Sequence, residues 1–242
     1  LYCGMRLRFE IVSHAGLVRT QNEDMAYAGG QTVRDDSDAF EFDIPEDGME
    51  FGAVVCDGLG GREGGEKASE LACSLFDTFV EALPAGLEPN DVIMRLKRWT
   101  QTANDAIMAE SHGNGMATTL TGLLLYFDQA YILNCGDSRT YRLRYDNFRQ
   151  LTRDHSERNR LNDPSAPANL MYNCLGIPEA FIDITPAKIV EGDQYIICSD
   201  GLSDYVTEAE MQTHVQSAQA LVDASLSAGA PDNVTVITLK FT

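Results

Sequence analysis

The chain has 242 residues, 44% of them hydrophobic and 23% charged, and its 18 basic against 37 acidic side chains give a formal net charge of −19. That balance excludes nucleic acid and anionic membrane surfaces as partners, because both demand a basic footprint. No apolar run approaches the ~18 residues of a membrane span. The first nine residues lack the apolar core of a signal peptide, with residues 1–4 read as upstream of Met5. A cytoplasmic protein is expected. The length suits one layered domain, here residues 1–242, which buries enough surface to need no covalent staple. Six cysteines form no C-x-x-C pair. They read as reduced, small hydrophobes within core strands, and no Cys/His spacing supports zinc.

In chain order, residues 6–13 and 24–29 read as strands around a turn, and the polar, acidic stretch 32–50 as a loop or extended hairpin. A short buried strand over 51–56 leads into a glycine-rich turn. Residues 66–83 then read as a helix, with Ala68, Ala72, Phe76 and Val80 on one stripe. A second helix is expected over 90–110, N-capped by Asn90 and facing inward through Leu96, Trp99 and Ala103. Strands follow at 118–127, 130–134 and 140–145, and an Asp146-Asn147 turn leads into 148–151. The stretch 157–173 is polar and irregular. Strands at 181–190 and 194–198 precede a capping box at Thr207-Glu208-Ala209-Glu210, a further helix ending near Gly229, and a last strand over 234–241. Strands, helix pair, strands, helices and a closing strand fit an α+β chain. We expect a four-layer α-β-β-α sandwich of two antiparallel sheets flanked by helix pairs.

Four aspartates sit at the ends of these apolar strands: Asp57, Asp137 and Asp200 at exits, and Asp232 at an entrance. Antiparallel neighbours place one strand's exit beside the next one's entrance, so all four fit on a single rim. Carboxylates gathered there repel one another unless cations neutralise them, and an all-oxygen donor set suits Mg²⁺ or Mn²⁺. Each Asp taken alone is as well explained by a plain turn. The glycines after Asp57 invite a phosphate-loop reading, but Gly65 is followed by Glu66 where a Walker loop needs lysine. They fit better as a turn that carries backbone carbonyls, such as that of Gly58, toward an ion.

Six motifs span the chain: Arg19-x₃-Glu23-Asp24; Asp57-Gly58-x-Gly60-Gly61-x₃-Gly65-Glu66-x-Ala68-Ser69; Gly136-Asp137-Ser138-Arg139; Leu151-Thr152-x-Asp154-His155; Ser199-Asp200-Gly201-Leu202; and Asp232-Asn233-Val234-Thr235. Together they resemble the metal-dependent serine/threonine protein phosphatases of the PP2C (PPM) family, bacterial type, from about Arg6 to Phe241. The resemblance implies the same sandwich fold. It also implies that Asp57 bridges two Mg²⁺ or Mn²⁺ ions, with Asp200 and Asp232 completing the shell of the first ion. The Gly58 carbonyl and Glu23 would serve the second ion, Asp24 would orient waters as an outer-shell acid, and Asp137 with Asp200 would match a third, weaker site. Arg19 would grip the substrate phosphate through its planar fork. The implied reaction is direct hydrolysis of phosphoserine and phosphothreonine by a hydroxide bridging the ions, without a covalent enzyme intermediate.

The implied partners are phosphorylated Ser/Thr proteins and a eukaryotic-like bacterial kinase, met by a monomer. Three positions depart from the resemblance. His14 stands where many relatives carry aspartate, and reads as a turn residue. Leu59 stands where some carry a histidine, and the stretch 156–173 is a short flap, which should expose the rim and alter peptide selection. His155 reads as structural. A non-catalytic phosphoprotein-binding regulator on the same fold is the alternative from another class, disfavoured by retention of Asp57, Asp137, Asp200 and Asp232. A phosphatase for a small metabolite or a phosphorylated anti-sigma antagonist would share the same site.

Overall fold

The protein is described here by a computed structural model, covering residues 4–60, 64–113, 115–167 and 170–242. The first three residues (Cys3 among them), residues 61–63 of the expected glycine-rich turn, Asn114, and Ala168 and Asn169 of the expected flap lie outside the described residues.

The chain begins with strands β1 (Arg6–His14), β2 (Met25–Ala28), β3 (Gln31–Val33), β4 (Ser37–Asp43), β5 (Met49–Cys56) and the short β6 (Gly58–Leu59). Two long helices follow, α1 (Gly64–Glu81) and α2 (Pro89–Ser111). Next come β7 (Ala117–Thr118), β8 (Leu120–Phe127), β9 (Gln129–Cys135), β10 (Arg139–Arg144), β11 (Asn147–Gln150) and helix α3 (Glu157–Leu161). The chain closes with β12 (Asp183–Ala187), β13 (Gln194–Cys198), helices α4 (Asp200–Ser203), α5 (Glu208–His214) and α6 (Ala218–Ser227), and β14 (Val234–Phe241).

Two six-stranded sheets stack, one ordered β11-β10-β13-β14-β1-β4 and the other β12-β9-β8-β5-β2-β3. Every ladder within them is antiparallel. Three apolar layers alternate with the four structural ones. Phe76, Leu96 and Trp99 of α1 and α2 meet Tyr131 and Leu133 on one outer face. Leu7, Phe51, Leu123 and Ile237 fill the space between the sheets. Leu202, Met211 and Leu221 cover the other outer face against Ile196 and Val236. A central strand therefore has protein on both sides, which is why β8 and β14 are apolar almost without alternation.

Several boundaries differ from the sequence expectation, and the stretch 157–173, expected to be irregular, opens with helix α3. Helix α2 begins at Pro89 rather than after an Asn90 cap, because proline's missing N–H costs nothing in the first turn. The stretch 32–50 holds β4, which pairs with β1 at the sheet edge over Arg6↔Asp43 to Val12↔Ser37. Its mostly exposed side chains carried no apolar signal. The expected strand at 181–190 shrinks to Asp183–Ala187, since the Asn173 amide holds both the N–H (3.1 Å) and the carbonyl (2.9 Å) of Phe181 outside any ladder. The capping box forms as read, Thr207 and Glu210 satisfying each other's backbone donors.

The candidate metal and phosphate site

All four strand-end aspartates reach one rim, and the topology shows how. Strands β5 and β9 lie two apart in their sheet and so point the same way, bringing Asp57 and the Asp137 turn to one end. Residues 136–138 then carry the chain across to the other sheet, where Arg139 pairs with Cys198, two residues before Asp200. Strand β14 runs antiparallel to β13, so Asp232 enters where Asp200 exits.

Beneath the rim, hydroxyls tie the two sheets together. The Asp57 N–H donates to Thr119 Oγ1 at 3.0 Å, and Thr119 shares a 2.7 Å bond with Ser138. Ser199 donates to Asp24 Oδ2 at 2.7 Å and Thr121 meets Thr140 at 3.0 Å between the sheets, while Ser13 meets Thr235 at 2.8 Å within one of them. Arg139 grips Asp154 through two nitrogens, at 2.7 and 3.0 Å, so two of the sequence motifs interlock. His155 is buried, accepting the Gly136 N–H at 3.1 Å on Nδ1 and meeting Asp183 at 3.0 Å through Nε2. His14 takes the Gly16 N–H at 2.9 Å, closing a turn. Gly58 presses so closely on the Gly65 and Glu23 carbonyls that no side chain fits there.

The electrostatics are those of carboxylates held together against repulsion. Burial pushes the Asp57 carboxyl well above the usual range, and Asp24, Asp200, Asp137 and Asp232 push it further. Burial, reinforced by Asp137 and Asp24, raises Asp200 to about 7. Burial, then Asp154, raises Asp137 to about 6. Burial also lifts Asp24 to about 6 against the opposing Ser199 bond, and its Oδ1 is buried with no hydrogen-bond partner among the described residues. Glu23 is raised by burial too. Arg19 donates from Nη2 to Asp232 Oδ2 at 2.8 Å, so the expected phosphate group and an expected ligand are ion-paired.

Among the described residues, no three His, Cys, Asp or Glu side chains already enclose an ion. The donor set fits a divalent cation even so. It is all oxygen, it contains a buried unpartnered carboxylate atom, and its mutual repulsion is what a dication relieves. Mg²⁺ and Mn²⁺ sites retain waters, so an open rim with few direct protein ligands suits them better than a closed cage.

Three contributors carried no role in the sequence reading. Asp204, four residues after Asp200 on the α4 turn, lines a cavity of about 360 Å³ with Asp137, Arg139, Asp154, Arg158 and Asp200. The four-residue helical spacing was its only signal. Arg34 binds the Asp24 carbonyl (2.9 Å), the Glu66 carboxylate (3.0 Å) and the Glu66 carbonyl (2.8 Å), clamping the Glu23-Asp24 segment to α1. It lies in the stretch read as a loop or extended hairpin, where nothing marked it. Asn233, quoted only as part of a motif, braces the Arg19 loop.

Bacterial serine/threonine phosphatases share this two-sheet fold. The catalytic domain of PstP, solved in complex with two manganese ions, superposes with a TM-score of 0.80 at 29% identity, over 98% of this chain and 99% of that one. PppA of Pseudomonas aeruginosa, described as a regulatory component of its T6SS, gives 0.78 at 29% identity, over 98% of each chain. The protein phosphatase 2C family model matches residues 29–233, and the chain belongs to that family. The serine/threonine protein phosphatase PstP of Mycobacterium tuberculosis is 31% identical over 96% of this chain, which spans 44% of that protein's length. The serine/threonine phosphatase stp of Listeria innocua is 31% identical over 77% of this chain and 83% of its own length.

Proposed function

We propose that this protein is a metal-dependent phosphatase that hydrolyses phosphoserine and phosphothreonine in proteins. The single observation that carries the reading is the convergence of Asp24, Asp57, Asp137, Asp200 and Asp232 on one rim beside Arg19. Asp57 would serve both of two Mn²⁺ or Mg²⁺ ions, Asp200 and Asp232 would help to hold one of them, and the Gly58 carbonyl and Glu23 would help to hold the other. Asp137 with Asp200 would offer a third position, and Asp24 would orient solvent from behind. When bound, such ions lower the pKa of coordinated water and offset charge on a phosphoryl oxygen.

The chain's own groups supply position. Arg19 exchanges its bond to Asp232 for two phosphoryl oxygens, a match of planar fork to tetrahedral anion that lysine cannot make. The buried hydroxyl ties fix the Asp57 backbone and the Asp24 carboxylate, which limits reorganisation as charge develops. The five described cysteines are free and buried. Burial pushes the Cys174 thiol up to about 11 and Cys198 up to about 12, so neither serves as nucleophile, consistent with direct hydrolysis. Phosphorylated Ser/Thr proteins are the substrates, and a eukaryotic-like bacterial kinase the opposing enzyme.

The test is hydrolysis of p-nitrophenyl phosphate with Mn²⁺, with chelator, and in Asp57→Asn and Asp200→Asn variants. Activity should require the metal and collapse in both variants. Turnover that survives chelation, or full activity in both variants, would overturn the metal-dependent mechanism, whereas no hydrolysis by wild type with Mn²⁺ would favour a phosphoprotein-binding regulator.

A further inference from the structure

Two consecutive aliphatic side chains stand beside Arg19, and both are open to solvent: Leu17 is 63% exposed and Val18 68%. Exposed apolar residues on a floppy loop mean little. This loop is held on all sides. The Leu17 N–H donates to the Ala230 carbonyl at 2.9 Å. Asn233 donates to the carbonyls of Ala15 (2.8 Å) and Gln21 (2.9 Å), bracing both ends. Gly16, at φ +82°, lies so tightly on the Asp232 carbonyl that no side chain is tolerated. Leu17 and Val18 are therefore presented on a fixed backbone at the edge of the acid rim, with Arg19 itself turned onto Asp232. Tyr205, 41% exposed, directly follows Asp204 at the end of the short helix α4 that opens at Asp200, so an amphipathic side chain borders the same rim.

We propose that Leu17 and Val18, with Tyr205, form an apolar seat for a substrate side chain flanking the phosphorylated residue. The preferred substrates are then phosphoserine or phosphothreonine segments with a bulky apolar residue one or two positions away. The proposal rests on the reading of Arg19 as the phosphate group. Spacing supports it: Leu17 and Val18 are two and one residues from Arg19, and successive Cα atoms of a bound peptide are ~3.8 Å apart. A seat that is already rigid loses little entropy on binding, which favours selective capture over chance exposure.

The experiment compares wild type with a Leu17→Ser/Val18→Ser double variant, both with Mn²⁺. The substrates are p-nitrophenyl phosphate, which has nothing a residue away from its phosphate, and phosphothreonine peptides carrying leucine or serine at each of the two positions on either side. Wild type should prefer leucine at one of these positions by about 10-fold in kcat/KM, the scale of an apolar side chain in a shallow pocket. The double variant should lose that preference and keep its activity on p-nitrophenyl phosphate, and Tyr205→Ser should weaken the preference in part. A wild type indifferent to leucine, or a double variant that retains the preference, overturns the seat while leaving the phosphatase reading intact. An equal loss on both substrate types assigns the loop to holding Arg19 and overturns it as well. Absence of Mn²⁺-dependent hydrolysis in wild type sinks the underlying reading and the seat with it.

Discussion

The Asn233 side chain accepts the Glu23 backbone N–H at 2.9 Å while its amide donates to the Ala15 and Gln21 carbonyls, so one buried amide fixes the whole segment that carries Arg19. Its three bonds use the full geometry of an amide, with acceptor and donors on opposite sides. Asn233→Ala should leave these backbone groups unpaired and cost about 2–3 kcal/mol, read as a lower urea midpoint at unchanged slope. Asn233→Asp should be worse, since it turns oxygens on two carbonyls. An unchanged midpoint in both would show that the loop is braced elsewhere.

Asp57→Asn separates function from stability. The wild-type carboxyl is raised by burial and by four neighbouring acids, so its ionised form opposes folding when no cation is bound. The neutral amide should raise the melting temperature of chelated protein at pH 8 while lowering hydrolysis about 100- to 1,000-fold. A less stable chelated variant would mean that the carboxylate is better satisfied than its surroundings indicate.

The same carboxylates set a pH dependence. Asp24 and Asp137 titrate at about 6 and Asp200 at about 7, all above the ordinary 3.8. An acid whose folded pKa is raised contributes its stability below the unfolded pKa and loses it as pH rises through the folded one. Chelated protein should therefore lose stability from pH 5 to pH 8. Mn²⁺ should restore most at the alkaline end, where protons no longer compete for the oxygens. Melting curves at several pH values, with and without Mn²⁺, check both; a chelated protein that gains stability across that window would refute the assignment.

Arg34 should matter although it lies outside the rim. Its guanidinium joins the Asp24 carbonyl, Glu66 and Ser69, and Ser69 in turn donates to the Glu23 carbonyl at 2.5 Å. Arg34→Met keeps the stem and removes these bonds, costing about 2–3 kcal/mol and weakening Mn²⁺ binding by about 10-fold. Calorimetric titration of Mn²⁺ into the folded variant distinguishes a positioning role, which lowers affinity, from a purely structural one, which lowers only the melting temperature.

What the sequence determined by itself was local chemistry and periodicity. Continuous apolar runs such as 120–127 announced strands covered on both faces, the stripe through Ala68, Ala72 and Phe76 announced a covering helix, and Asp57, Asp137, Asp200 and Asp232 stood out because each interrupts such a run. Exposed edges left no such mark, so β4 was legible only as a polar stretch, and Asn173's hold on Phe181 could not be read from residues eight apart. Only the tertiary structure decided how the acids meet and what supports them. Their repulsion depends on sheet stacking, and Arg34, Asn233 and Thr119 act on backbone groups, and Ser199 on the Asp24 carboxylate, far away in the chain. Side-chain periodicity is a property of neighbours along the backbone, whereas the electrostatic field at the rim is a sum over neighbours in space, and that sum exists only once the two sheets have closed.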